Sequence, residues 1–299
     1  DVKLAGPEKL VTMVKDIMEP VSKMDGDSLP VSAFVAHADG TFEQGASAYE
    51  KRGVAVMVPE WLPENCIQCN RCSYVCPHAT IRPFAMNADE AAKAPEATKK
   101  AKMTGKGFEN YTFTMSVSPL DCMGCGVCVS VCPAKTKALV MKPRESQEVQ
   151  QPVFDYMVAN VSKKDDMPAV DTVKGSQFAQ PYLEFSGSCA GCAETAYARL
   201  ITQLFGDRMY VSNATGCSSI WGGPAATSPY CTDKKGHGPA WANSLFEDNA
   251  EHGLGMLLGQ KAVRNRLIAK VEALAASTDN EAVKAAAEKY LATKDNGKE

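Results

Sequence analysis

Apolar residues recur along this chain at two periods, and the switches between them divide it into zones. From Pro7 to Val21, residues Leu10, Val11, Val14, Ile17 and Met18 fall at helical spacing and predict one amphipathic helix. An irregular Gly-containing stretch follows, to about residue 45. Short β-rich runs come next, Val54–Val58, Tyr111–Met115 and Leu139–Met141, each predicting a strand. The helical period returns over Glu194–Phe205, with Ala198, Leu200, Ile201 and Leu204 as its apolar face, and Met209–Ser212 predicts a strand entering the small-residue loop Asn213–Ser219. Beyond Glu251, Leu254, Met256, Leu257, Leu258, Val263, Leu267, Ile268, Val271 and Leu274 mark a helix. An Ala-rich helix over Asn280–Thr293, capped by Asp279, completes the pattern. Both are expected to pack by an apolar face, with Lys261, Arg264, Arg266 and Lys270 towards water.

The strands of the middle zone are punctuated by cysteines. Cys66-x2-Cys69-x2-Cys72-x3-Cys76-Pro77 is followed, 56 residues on, by Cys122-x2-Cys125-x2-Cys128-x3-Cys132-Pro133. That is the ligand run of a two-cluster bacterial ferredoxin, whose fourth cysteine ligates the other cluster. The expected sets are therefore Cys66, Cys69, Cys72 and Cys132 on one [4Fe-4S] cube, and Cys122, Cys125, Cys128 and Cys76 on its twin. A structural zinc site takes two separated pairs instead, and a third cysteine two residues after the second is not that pattern. Disulfides fit worse, because 12 cysteines in 299 residues is well below the density of a stapled secreted domain. The duplicated plan predicts a ferredoxin-like domain over 46–162, with an insertion near 88–106 lying on the surface. Its lysines, Lys93, Lys99, Lys100, Lys102 and Lys106, read either as a solvated face or as a docking surface for an acidic electron carrier.

Composition narrows the setting. Hydrophobic residues are 45% and charged residues 22%, ordinary for a globular chain, and a length of 299 suggests about two domains. A net charge of −3 offers no basic field for nucleic acid. No apolar run approaches a membrane span and no signal-peptide succession opens the chain, so a cytoplasmic setting is expected. An Asp at position 1 and the polar tail Lys294–Glu299 suggest an excerpt from a longer polypeptide or a processed subunit.

After the polar linker Ser162–Asp166, Cys189-Ala190-Gly191-Cys192 opens the helix of the third zone, and Cys217 sits in the loop after a strand. Helix, strand and small-residue loop are the grammar of an open α/β sheet, which binds ligands outside the carboxyl ends of its strands. Cys189, Cys192 and Cys217 could converge as three soft ligands, although a cluster wants four. Alternatively Cys189 and Cys192 form a redox pair and Cys217 is a buried small residue. Glu194 is either a polar anchor for a cationic cofactor or a first-turn glutamate complementing the helix dipole. His37, His78, His237 and His252 are scattered singly, and no catalytic residue is assigned.

Three stretches carry a resemblance: Gly187–Thr195 around the cysteine pair, Thr215–Pro224 around Cys217, and Gly238–Glu251 containing Trp241-Ala242-Asn243-Ser244-Leu245-Phe246-Glu247-Asp248. They resemble the thiamine-diphosphate domain of 2-oxoacid:ferredoxin oxidoreductases, specifically the pyruvate:ferredoxin type, and the cysteine-run zone resembles that family's inserted cluster domain. The resemblance covers about residues 54–256. It implies oxidative decarboxylation of pyruvate with coenzyme A to acetyl-CoA and CO2, with electrons passing through three [4Fe-4S] clusters to ferredoxin or flavodoxin. In that scheme Cys189, Cys192 and Cys217 hold the third cluster with a fourth ligand outside this chain. Glu194 and the backbone at Cys217 touch thiamine diphosphate, and the Mg2+ on its diphosphate is held by a motif absent here. The implied assembly is a homodimer that also contains the remaining domains of the parent polypeptide. The fold class expected is an α+β two-cluster ferredoxin-like domain, preceded by a small helical segment over 1–45 and followed by an incomplete α/β thiamine-diphosphate domain over 163–299. A different class also fits the cysteine runs: a non-catalytic polyferredoxin-type electron-transfer subunit or adaptor.

Overall fold

The cysteine-bearing zone is built on five strands whose pairing crosses its two halves. In the computed structural model, which describes residues 6–162, 164, 167–224 and 227–296, these are β1 (Met57–Trp61), β2 (Ile81–Met86), β3 (Ala101–Lys102), β4 (Thr112–Val117) and β5 (Leu139–Pro143). The first cysteine run lies between β1 and β2 and the second between β4 and β5. The strand before one run pairs with the strand after the other: β1 with β5, and β2 with β4, both antiparallel. Trp61, Ile81, Phe113, Met115, Val117 and Leu139 form the core beneath the two loops, together with Cys76 and Cys128. Burying a side chain such as Phe113, which is 0% exposed, contributes about 1.5–3 kcal/mol.

The strands expected at Val54–Val58 and Tyr111–Met115 are found slightly later, over Met57–Trp61 and Thr112–Val117. The segment 88–106 lies largely at the surface, with Thr98 and Met103 as its buried residues, but it is tied to the core. Ala101–Lys102 pair with Phe113 and Thr112 as a third strand, and Met103 is 2% exposed within the core. Lys99 donates to Glu60 at 2.7 Å and to the Trp61 carbonyl at 3.0 Å. The capped helix Ala88–Lys93 buries no residue, and Thr104–Lys106 are exposed.

The N-terminal helix is continuous from Glu8 to Ser22 but contains a π-helical turn over Val14–Met18. Pro20 has no N–H to give to the Asp16 carbonyl, so the ladder widens in the turn before it. Leu10, Met13, Val14, Ile17 and Met18 are buried on its inner face, matching the expected period.

Contacts divide the chain into two units, one of Asp1–Val211 with Gly216–Trp241 and the other of Ser212–Thr215 with Ala242–Glu299. Residues on both sides of position 162 therefore share the first unit. Of the polar linker, Lys163, Asp165 and Asp166 lie outside the described residues, as do Gly297–Glu299 of the tail. Among the described residues, the third zone contributes one two-stranded sheet, β6 (Tyr210–Ala214) with β7 (Ala240–Ser244), and the open sheet expected there is not formed by them. Cys217 opens a helix, Cys217–Gly222, where a loop was expected.

In the second unit the helices Asn249–Ser277 and Glu281–Thr293 lie against each other. The packing face expected of them is largely unburied: the longer helix buries no residue and the shorter only Ala287. A helix pair has a single mutual seam, which leaves most of each circumference in water. The cap is Asn280 rather than Asp279, its side chain accepting from the N–H groups of Ala282 and Val283. No described helix is long and apolar enough to cross a membrane.

Candidate functional site: two crossed cysteine loops and a third pair

Strand register dictates where each fourth cysteine goes. Ile81 faces Val117, Cys76 lies five residues before Ile81, and Cys122 lies five residues after Val117. In an antiparallel ladder those two directions coincide, so the end of the first run meets the start of the second. At the other end Trp61 faces Leu139, with Cys66 five residues after the one and Cys132 seven before the other. The thiols feel these neighbours. Burial pushes the Cys66 thiol up, and negative charge on Cys69 and Cys132 adds to it. Burial likewise raises Cys72, with Cys66, Cys69 and Cys132 acting in the same sense. Cys122 is pushed up to about 12 by burial, with Cys76 and Cys125 contributing. Cys128 is raised by burial and then by Cys76.

Each loop closes through two left-handed residues at matching positions. In the second run they are Gly124 (φ 68°) and Gly126 (φ 72°), where glycine meets no Cβ penalty. In the first run they are Gln68 (φ 56°) and Asn70 (φ 59°), and neither is glycine. Their side chains are buried and tethered instead. Gln68 donates to the Lys102 carbonyl at 2.8 Å and accepts from Thr104 N–H at 2.8 Å, while Asn70 donates to the Lys174 carbonyl at 2.9 Å. In both loops the left-handed residue turns its N–H to the first sulfur of the run, Gln68 to Cys66 and Gly124 to Cys122, each at 3.4 Å.

A cavity of about 360 Å3, partly open to solvent, is lined by Cys76, Cys122, Cys125 and Cys128 together with Ile81 and His78. Four thiols around one cavity, drawn from both runs, are the donor set a thiolate-held cube requires. Among the described residues no three His, Cys, Asp or Glu side chains converge on a single metal ion.

The third pair abuts the second loop. Cys192 N–H donates to the Cys189 carbonyl at 3.1 Å, closing a tight turn through Gly191. A methyl group on the Gly191 Cα would stand 3.5 Å from Cys125 Cβ. Cys189 is exposed and Cys192 is the N-cap residue of the helix Ala193–Phe205. Cys217 is exposed at the start of its own helix, and no metal-ion-sized convergence joins it to the pair. The two helices nevertheless meet, because the Trp221 indole N–H donates to Glu194 Oε2 at 3.4 Å. Cys231, the remaining cysteine, is buried, its Sγ 3.4 Å from the Pro181 carbonyl.

Three groups escaped the sequence reading. Lys51 pairs with Asp121 at 2.5 Å, next to Cys122, and burial raises the Asp121 carboxyl despite that cation. The charge triplet Glu50-Lys51-Arg52 was the available signal. His78 is 2% exposed; its Nδ1 lies 3.2 Å from the Ser186 carbonyl, burial pulls its pKa down, and its Nε2 has no partner. Arg199 is buried in the helix after the third pair, where an apolar face was expected. That helix buries Thr195, Arg199, Thr202 and Gln203 and leaves Ile201 45% and Phe205 50% exposed.

A family model for a 4Fe-4S dicluster domain matches residues 65–136, and one described as EKR, a domain of unknown function, matches residues 2–55. The chain is 52% identical over 284 residues to the pyruvate-flavodoxin oxidoreductase of Klebsiella pneumoniae, covering 95% of the chain and 24% of that protein. It is 50% identical over 289 residues to the pyruvate:ferredoxin oxidoreductase of Moorella thermoacetica, with the same coverage. Over nearly its whole length the chain is thus similar to a segment of these oxidoreductases. A related protein of Cryptosporidium parvum, a pyruvate dehydrogenase (NADP+), is 50% identical over 255 residues, 85% of the chain and 13% of that protein. The chain thus spans about a quarter of the length of the oxidoreductases it matches, and its dicluster domain coincides with the crossed cysteine loops.

Proposed function

We propose that this chain is the electron-conducting segment, with part of the thiamine-diphosphate site, of a homodimeric enzyme that converts pyruvate and coenzyme A to acetyl-CoA and CO2 and reduces ferredoxin or flavodoxin. The observation that carries the reading is the turn Cys189–Cys192 seated against Cys125. That approach brings the third cysteine pair next to the second loop, which packs in turn on the first through β2 and β4. Thiamine diphosphate with Mg2+ supplies an electron sink for the carbon left by decarboxylation, and three [4Fe-4S] clusters accept electrons one at a time.

This chain's residues hold and order those groups. Cys66, Cys69, Cys72 and Cys132 hold one cube, and Cys122, Cys125, Cys128 and Cys76 the other. Cys189, Cys192 and Cys217 give three ligands to the third, whose fourth ligand and neighbouring Mg2+ site lie outside this chain. Glu194, in the first turn of its helix with its carboxylate accepting from Trp221, would contact the thiamine. With clusters bound, the approach of Gly191 to Cys125 would place the cube held by Cys122, Cys125, Cys128 and Cys76 nearer the third pair than the cube held by Cys66, Cys69, Cys72 and Cys132.

The test is Cys217→Ala in the complete parent protein. Both ferredoxin-type clusters should assemble, while pyruvate-dependent cluster reduction, followed by electron paramagnetic resonance, should be abolished or greatly slowed. Unchanged iron content and normal cluster reduction would overturn the third site.

A further inference from the structure

Arg199 is the largest side chain wholly withdrawn from solvent, at 1% exposed. It has no acidic partner. Nη1 donates to Gln177 Oε1 at 3.1 Å and Gln203 Oε1 at 2.6 Å. Nη2 donates to the carbonyls of Ser73 at 2.9 Å and Tyr74 at 2.5 Å, and Nε has no partner. Every acceptor is neutral. The other buried arginine, Arg82, is treated differently, since Glu184 neutralises it in an ion pair. A guanidinium taken out of water without a counter-charge costs several kcal/mol even after relaxation, and neutral dipoles do not cancel its charge.

The missing charge has a place to be. The Ser73 carbonyl that Arg199 binds also accepts the Cys76 N–H at 3.1 Å, so one shared oxygen separates the guanidinium from the Cys76 backbone. Burial lowers the pKa of Arg199 to about 10, and charge on Cys76 opposes that fall. A cube held by four thiolates is net anionic and gains another negative charge on reduction. The twin loop shows what an ordinary arrangement looks like. Ser130, 56 residues after Tyr74, gives its carbonyl to Lys137 Nζ at 3.2 Å, and Cys132 gives its own at 2.7 Å. Lys137 is exposed, so water and salt screen its field, whereas nothing comparable screens Arg199.

We propose that Arg199 is a positioning residue whose buried charge is the counter-ion of the cluster that Cys76 completes, raising that cluster's reduction potential relative to its twin. The inference rests on the ligand assignment above. It gives the polar inner face of the helix Ala193–Phe205 a purpose: Gln177 and Gln203 orient the cation and leave its charge uncancelled. The helix that begins at the third cysteine pair thereby makes the neighbouring cube a better acceptor.

The test is a redox titration of the complete parent protein, followed by electron paramagnetic resonance alongside iron analysis. The cluster abolished by Cys76→Ala is identified first; if that is the one built on Cys66, Cys69 and Cys72, the ligand assignment fails independently of Arg199. Gln203→Glu then places a carboxylate against Nη1, cancelling the charge without removing the cation. At a fixed poise it should lower the reduced-to-oxidised ratio of the Cys76 cluster roughly tenfold, about 59 mV for a one-electron couple, and leave the other cluster within threefold. Arg199→Gln should shift it in the same direction, and Arg199→Lys should stay close to the parent value. If Arg199→Gln does not fold, Gln203→Glu decides alone. A fully loaded Gln203→Glu protein with the Cys76 cluster unshifted overturns the proposal.

Discussion

The two cysteine loops follow one plan and hold it by different means. The second uses glycine at both left-handed positions, which removes the backbone penalty and leaves those two positions without a side chain to tether. The first uses Gln68 and Asn70, accepts the penalty, and ties the loop to Lys102, Thr104 and Lys174 through buried amides. The difference follows from surroundings. The first loop is covered by β3 and the segment 172–177, which present backbone groups for an amide to bind. At the second loop Gly124 passes so close to β1 that a Cβ would stand 2.9 Å from the Met57 carbonyl, and Gly126 faces open space. Close approach demands glycine at Gly124; burial against free backbone groups rewards amides in the first loop.

Removing the clusters should break the comparison most severely. Structural metal binding contributes folding free energy, so stripping iron and sulfide should expose the amides of β1 to β5 to hydrogen exchange. The second loop, which lacks the buried amide tethers, should lose protection before the first. Simultaneous loss would mean that the amide tethers contribute nothing independent of the clusters.

Gly124→Ala comes next, combining left-handed strain with the Met57 collision. A destabilisation of about 2–3 kcal/mol is expected, read from chemical denaturation of the loaded protein. Gln68→Ala keeps the strain and orphans the Lys102 carbonyl and the Thr104 N–H, for about 1–3 kcal/mol. Gln68→Gly removes the strain while losing the same hydrogen bonds, so it should be the milder of the two. The smallest effect is expected from Gly126→Ala, about 1 kcal/mol, because the added methyl meets no atom within 4 Å. Equal costs at Gly124 and Gly126 would show that backbone conformation, and not the approach to Met57, sets the glycine requirement.

The repeat of cysteines made two loops, and the expectation that they exchange their fourth ligands, legible in the sequence. Spacing alone identified two loops, and the proline after each fourth cysteine marked where the chain must leave. What spacing could not show was the means of closure, since Gln68 and Asn70 look like ordinary polar loop residues until Lys102 and Lys174 supply their partners. The strand within 88–106 was missed for a related reason: two residues, Ala101 and Lys102, are too short a run to signal a strand, and pairing with β4 alone defines it. Arg199 was invisible because the apolar period of Glu194–Phe205 points to the opposite face, and an arginine among alanines and leucines reads as solvent-facing. The third zone was legible mainly as the cysteine pair and the start of its helix, where the structure sets Glu194 against Trp221. Two strands do not reveal the open sheet that the wider resemblance implied.

Crossed ligation is the claim on which the two-loop comparison rests, and reciprocal alanine substitutions test it most directly. Iron content and electron paramagnetic resonance should be measured for Cys76→Ala and Cys132→Ala in the complete protein. The account predicts that Cys76→Ala loses the cluster built on Cys122, Cys125 and Cys128 and retains the one on Cys66, Cys69 and Cys72, while Cys132→Ala does the reverse. Each substitution damaging the cluster of its own run, with the other intact, would contradict it.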